Sequence, residues 1–269
     1  MLKRIPYVID NDKHKLGDIL ALVLDEHHDL AMDIATAYFN IQGYEVLAER
    51  LKRVGSLRLL LGAEPDGSIQ IGIQPDPAAL KAALRGDLSR EPYSPKTLKL
   101  VEDLTRFARD PRVQIRLFDK TFLHAKCYLF YGDPRGGPLF ERFRPVLGVV
   151  GSSNFTGPGL MRNRELNLVH KGIIPEEEVV DERGRQAALS HYTKERSDVI
   201  RAETEMAPYE ADAAPKVSSR ISFESRRVIK GEVGAAALWE LAEWFDVQWR
   251  QAVEFKEDFL NLLDTSKFG

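Results

Sequence analysis

The sequence predicts an α/β fold: a mixed β-sheet sandwiched between helices, with a helical extension at the carboxyl end. Three observations carry this expectation. Helix-like and strand-like apolar patterns alternate through residues 1–172. One stretch within them reads as a complete β-α-β unit. A broad apolar stripe at helical spacing then runs from Ala237 to Leu263. Such alternation is the signature of layered α/β architecture.

Taken in order, Leu16, Ile19, Leu20, Val23 and Leu24 share one face of a helix over Leu16 to Glu26. Leu30 to Tyr38 reads as a largely buried strand. Asn40 is placed to cap a helix from Ile41 to Val54, which Gly55 stops. Leu57 to Leu61 is a second strand, closed by the turn Glu64-Pro65-Asp66-Gly67. The default for such a unit is parallel pairing with a right-handed crossover.

Ser94 and Pro95 open the next helix, from Lys96 to Ala108, as N-cap and first helical residue. Strands follow over Val113 to Phe118 and Leu123 to Tyr131. Asp133 to Pro138 is a Pro/Gly-rich turn. Pro145 to Val150 is an apolar strand that delivers Gly151-Ser152-Ser153-Asn154, and Leu166 to Val169 is a further short strand. Between Pro175 and Glu232 the pattern weakens; a helix fits Arg185 to Ala202, and an exposed loop fits Ala211 to Ser219. The expected divisions are therefore 1–172 as an α/β domain, 173–232 as a charged, partly irregular region, and 233–269 as an amphipathic helix or linker. Residues 173–232 are also compatible with completing the first domain.

Composition narrows the function classes. No window approaches 18 uncharged apolar residues, which argues against a membrane-spanning helix. The start, Met1-Leu2-Lys3-Arg4-Ile5-Pro6, lacks the apolar stretch of a signal peptide. Cys127 is the only cysteine, so no intrachain disulfide forms, and a cytoplasmic location is expected. Its alternating neighbours favour a buried structural thiol over a nucleophile. The formal charge is −3, yet residues 106–171 carry 12 Lys or Arg against 5 acids, a local excess of +7. That excess coincides with the segment richest in chemistry and reads as a footprint for a polyanion.

The chemistry lies in an ordered set. His124 and Lys126 are two residues apart, which in a strand places an imidazole and an ammonium on one sheet face. Gly151-Ser152-Ser153-Asn154-Phe155-Thr156 follows a second strand, where turning backbone N–H groups favour an anion. Glu165 lies beyond, and a carboxylate near a histidine commonly fixes its tautomer.

His124-x-Lys126, Gly151-Ser152-x-Asn154-Phe155-Thr156 and Asn163-x-Glu165 resemble the motif of the phospholipase D superfamily, most closely its nuclease branch, in which a Glu recurs eleven residues past the Asn. The resemblance implies a phospholipase-D-like sheet and a phosphodiesterase without cofactor or metal. His124 would attack phosphorus to give a phosphohistidine. Lys126 and Asn154 would hold the non-bridging oxygens, Ser152 would bond near the phosphate, and Glu165 would orient His124. Ser153, Arg162 and Arg164 are further candidate substrate contacts. Arg135, Arg142 and Arg144 are either phosphate contacts or solvated loop charges. One departure stands out: the family pattern often has Asp five residues past the Lys, and this chain has Tyr131.

The mechanism needs a second imidazole as acid. His14, His27, His28, His170 and His191 lie in no second copy of the motif. Single-motif members of the superfamily meet this need as symmetric dimers, so a homodimer with His124 at the two-fold interface is expected. Ile34 to Tyr44 and Asn261 to Gly269 also resemble segments of phospholipase-D-like modules at the N-termini of superfamily-2 helicases. That implies a helicase motor in cis or in trans and a role in DNA processing or defence. The expected partner is nucleic acid, DNA ahead of RNA, and no membrane. The alternatives are a nucleic-acid-binding module with weak or no turnover and a phosphodiesterase acting on another substrate.

Overall fold

A computed structural model describes residues 5–62, 77–132, 141–142, 145–172 and 223–269, with side chains from 237 onward in the last stretch. The chain divides into two compact units, one of residues 1–170 with 238–269 and the other of 171–237. Little of the second lies within the described residues, so the helix proposed for Arg185 to Ala202 and the loop at Ala211 to Ser219 fall outside them.

The first unit is built on one eight-stranded sheet. Its strands are β1 (Val8–Ile9), β2 (Ala31–Thr36), β3 (Ser56–Leu61), β4 (Val113–Leu117), β5 (Cys127–Tyr131), β6 (Pro145–Gly151), β7 (Asn167–Lys171) and β8 (Val253–Glu254), in the order β1-β7-β6-β5-β2-β3-β4-β8. Strands β2 and β3 run parallel, as the β-α-β reading anticipated, and β4 adds to β3 in parallel. Strand β5 turns antiparallel on β2, and β6 antiparallel on β5, making the sheet mixed.

The described helices are α1 (Leu16–Glu26), α2 (Ile41–Leu51), α3 (Pro77–Arg90), α4 (Pro95–Arg109), α5 (Gly157–Met161), α6 (Phe223–Gln251) and α7 (Lys256–Asp264). The caps read from the sequence are in place. Asn40 accepts from Gly43 N at 2.9 Å and Ser94 from Thr97 N at 3.1 Å. Strand alternation sorts the side chains into two cores. Met32, Ile34, Leu57, Leu59, Ile115, Tyr128 and Val149 face α1, α2, α4 and α7. Ala31, Ala35, Leu60, Cys127 and Leu129 face Leu238, Ala242, Phe245 and Trp249 of α6. The result is the helix–sheet–helix layering the alternation predicted.

Two expectations change in detail. The carboxyl-terminal stripe is not one continuous helix: α6 ends at Gln251, Val253 pairs with Leu117 at the β4 edge, and Phe255 N donates to Ile115 O at 3.0 Å. The unpaired edge of β4 takes up the chain there before it becomes helical again. The sequence reading also passed over α3, whose buried Leu80, Leu84 and Leu88 stand four residues apart on an otherwise small and polar helix. Among the described residues no helix is long and apolar enough to cross a membrane.

Candidate active site

Strand β5 begins at Cys127, not Leu123, so His124 and Lys126 precede it. The reason lies in the neighbour. Cys127 pairs with Ala35, and two residues later β2 gives way to the turn that leads into α2. His124 therefore has no β2 partner, whereas Lys126 O still accepts from Gly151 N at 3.2 Å. The two side chains consequently differ in setting. The imidazole is exposed and stacks on Phe122 at 5.3 Å between ring centroids, while Lys126 is buried. Lys126 Nζ donates to His124 O at 3.0 Å, folding the ammonium back towards the histidine's own backbone.

Both residues sit at the carboxyl end of β2, because β5 runs against it. The end of β6 reaches the same edge, since Val150 pairs with Cys127. Gly151-Ser152-Ser153-Asn154 is thus brought beside His124-Ala125-Lys126 by sheet register alone. In open α/β sheets this is the edge at which ligands bind.

Within the Gly-Ser-Ser-Asn-Phe-Thr run, residues divide between support and exposure. Gly151 packs so tightly against β7 that a Cβ there would meet Leu166 O at 2.3 Å. Ser153 is fully buried; its hydroxyl accepts from Asn167 Nδ2 at 2.9 Å and its carbonyl from Tyr128 OH at 3.0 Å. Phe155 fills the core against Phe39 and Tyr128. Thr156 caps α5 by accepting from Gly159 N at 3.0 Å. Ser152 and Asn154 remain solvent-accessible.

Asn154 is oriented by its surroundings. Its Oδ1 lies 3.1 Å from Tyr38 N and 3.2 Å from Thr36 Oγ1. A backbone N–H can only donate, so the atom facing Tyr38 is the carbonyl oxygen and Nδ2 is left for the site. Ser152 Oγ accepts from Leu166 N at 3.0 Å and donates its own proton to Glu165. Glu165 is thereby held at the mouth of the β6–β7 connection, on Ser152.

The basic residues are mostly engaged elsewhere. Arg142 donates to Asp33 Oδ1 at 2.7 Å and also bonds Glu141 and Ser56. Asp33 is fully buried and takes a forked contact from Arg58 and a bond from Tyr131 OH at 2.7 Å. Tyr131 ends β5, so this cluster is displaced from Cys127 towards the far end of the strand, about 13 Å away at 3.3 Å per residue. The Tyr at the position where the superfamily pattern often has Asp is thus hydrogen-bonded to a carboxylate from β2. Burial works against the Arg58 charge, but Asp33, with Asp246 at 2.8 Å, more than restores it, and the pKa of Arg58 is raised. Arg164 pairs with Asp12 at 2.6 Å, and Arg162 bonds the neutral amide of Gln42 at 3.2 Å. Arg135 and Arg144 lie outside the described residues. Arg106, Arg109, Arg112 and Arg116 pair with Asp103, Asp264, Asp110 and Glu254. Three of those four acids lie outside residues 106–171, so part of the local basic excess is neutralised in the fold.

Sequence reasoning missed Thr36 and Asn167, which hold the Ser153–Asn154–Phe155 turn from outside the motif. No local signal marks them, since their partners lie 119 and 14 residues away. Cys127 is buried, and burial pushes its thiol well above the usual range. Among the described residues no three His, Cys, Asp or Glu side chains converge as metal ligands.

No protein-family model matches this sequence, and no curated protein does. Among solved structures it is similar to Nuc, a phospholipase D family member from Salmonella typhimurium, at 14% identity over 60% of this chain and 79% of that one, with a TM-score of 0.32. It is also similar to phosphatidylserine synthase from Haemophilus influenzae Rd KW20, at 14% identity over 62% of this chain, with a TM-score of 0.35. The match spans about a third of the synthase, 35% of its length.

Proposed function

We propose that this chain is a phosphodiesterase of phospholipase D type that cleaves nucleic acid, DNA ahead of RNA, without a metal. The observation that carries the reading is the pairing of an exposed imidazole with an oriented amide. His124 stands free of the sheet at the same edge as Asn154, whose Nδ2 is turned outward by the bond to Tyr38 N. The ordered motif resemblance supplies the reaction class.

In this reading a His124 ring nitrogen attacks phosphorus, the bond to the leaving oxygen breaks, and the oxygen takes a proton from a second imidazole. Water then attacks the phosphohistidine, the N–P bond breaks, and the second imidazole takes the water's proton. Lys126 and Asn154 stabilise the charge that builds on the non-bridging oxygens. In this reading the second imidazole is the partner subunit's His124 in a two-fold dimer, as the single motif copy implies; the buried His27, held on Ala31 O at 2.9 Å at the opposite end of β2, does not serve. A helicase motor, in cis or in trans, would deliver the strand.

The test is cleavage of single- and double-stranded DNA in EDTA, with acid-labile phosphate trapped on the protein. Activity is expected to vanish in His124→Ala and to fall about 100-fold or more in Lys126→Ala, the usual cost of losing an oxyanion donor. Robust cleavage by His124→Ala refutes the assignment. Tight DNA binding with neither turnover nor an adduct on His124 establishes a binding module instead.

A further inference from the structure

We propose that Thr36 is a positioning residue that sets the amide of Asn154. It stands at the end of β2, fully buried, and belongs to no part of the motif. Its hydroxyl oxygen accepts from Phe155 N at 2.9 Å. Its single proton lies between Tyr38 O at 2.8 Å and Asn154 Oδ1 at 3.2 Å. One hydroxyl therefore ties the chain leaving β2 to the chain leaving β6, on either side of Asn154.

The consequence is orientational. Tyr38 N holds Asn154 Oδ1 at 3.1 Å, and Thr36 holds the Tyr38 carbonyl that belongs to the same turn. Rotating the Asn154 amide by half a turn would set its NH2 against the Tyr38 N–H, donor against donor. While Thr36 keeps the two turns in register, only one amide orientation is satisfied, and it is the one that presents Nδ2 to the site. Removing the hydroxyl leaves Phe155 N–H without its acceptor and frees the turn that fixes Asn154.

The kinetic arm of this inference rests on the phosphodiesterase reading; the structural arm does not. Thr36→Val keeps the shape and removes the hydroxyl, and Thr36→Ser restores it. In wild type and Thr36→Ser the Asn154 side-chain amide, identified by its loss in Asn154→Ala, should give one restrained pair of proton–nitrogen NMR signals. In Thr36→Val that pair should broaden or move to averaged values. With bis(p-nitrophenyl) phosphate as substrate, Thr36→Val should lower kcat by about 10- to 100-fold, with a smaller change in KM. It should add nothing in an Asn154→Ala background, since the residue through which it acts is gone.

A folded Thr36→Val protein with the wild-type Asn154 amide signals overturns the proposal, as does a kinetic loss that multiplies with Asn154→Ala. If Val does not fold, Thr36→Ala is read by the same two measurements. Should wild type fail to cleave the phosphodiester, the phosphodiesterase reading falls and the amide signals still decide the role of Thr36.

Discussion

Ser152 and Glu165 are joined directly: the serine hydroxyl donates to the carboxylate and accepts from Leu166 N at 3.0 Å. This pair closes the mouth of the β6–β7 connection beside Asn154. In the proposed mechanism the carboxylate therefore acts together with Ser152. Ser152→Ala and Glu165→Gln should each lower kcat by about 10- to 100-fold, as positioned polar groups do. The double variant should be no slower than the worse single, because residues in one hydrogen-bond pair are not additive. A double-mutant cycle on DNA cleavage measures this, and independent, multiplying losses would exclude a shared role.

Arg142 offers the opposite case, a basic residue whose partners Asp33, Glu141 and Ser56 lie away from His124. Arg142→Ala should cost about 1–3 kcal/mol of stability by removing a charged hydrogen bond to the buried Asp33. Asp33→Asn should cost at least as much, about 3 kcal/mol, because it removes the one carboxylate shared by Arg58 and Arg142 and leaves Arg58 only the half-exposed Asp246. The salt dependence of DNA binding should be unchanged in Arg142→Ala, whereas a lost phosphate contact flattens the slope by about one ion. Denaturant unfolding and binding isotherms at several salt concentrations separate the two roles.

Much of the site was legible in the sequence, and the reason is local chemistry. Gly151, Ser152, Asn154, Phe155 and Thr156 each do in the fold something their type announces: close approach, hydroxyl bonding, amide-oxygen bonding, core filling and capping. Arg142 was not legible, because a guanidinium in a loop says nothing of which carboxylate it will meet, and Asp33 reads only as the one charged residue in a largely apolar strand. The start of β5 was hidden for a similar reason. Alternation of side chains continues through Leu123 and Ala125, but pairing depends on where β2 ends. The α3 helix was readable from Leu80, Leu84 and Leu88 and was passed over because its remaining residues are small or charged.

The buried His27 gives a prediction about pH. Burial lowers its pKa below the ordinary 6.5, opposed in part by its bond to Ala31 O. The folded state therefore prefers the neutral ring, and the unfolded chain takes up a proton first as pH falls. Its contribution to stability is complete above about 6.5 and is lost as pH drops from there towards the lowered folded value. His170, also lowered by burial, adds in the same direction. Melting temperature should fall between about pH 7 and 5, and the fall should be shallower in His27→Gln after correction for the variant's own baseline stability.

The shared-site dimer predicts dominance. If each reaction centre needs the imidazoles of both subunits, a mixed dimer of wild type and His124→Ala has no complete centre. Activity of pre-equilibrated mixtures should then follow the square of the wild-type fraction, so that equal parts retain about a quarter of the activity per total protein. A strictly proportional loss would show that each subunit works alone.

Cys127 sits under α6 with its thiol shielded from solvent, and the sequence holds no other. A thiol so placed reacts slowly with alkylating reagents. Any cysteine introduced on the surface would thus be the sole handle for a spin label or fluorophore, with no background to engineer away. Placed at the exposed Thr121, three residues before His124, one such probe per chain turns the native protein into a molecular ruler. A single interspin distance would then report how far apart the two His124 lie in the proposed dimer.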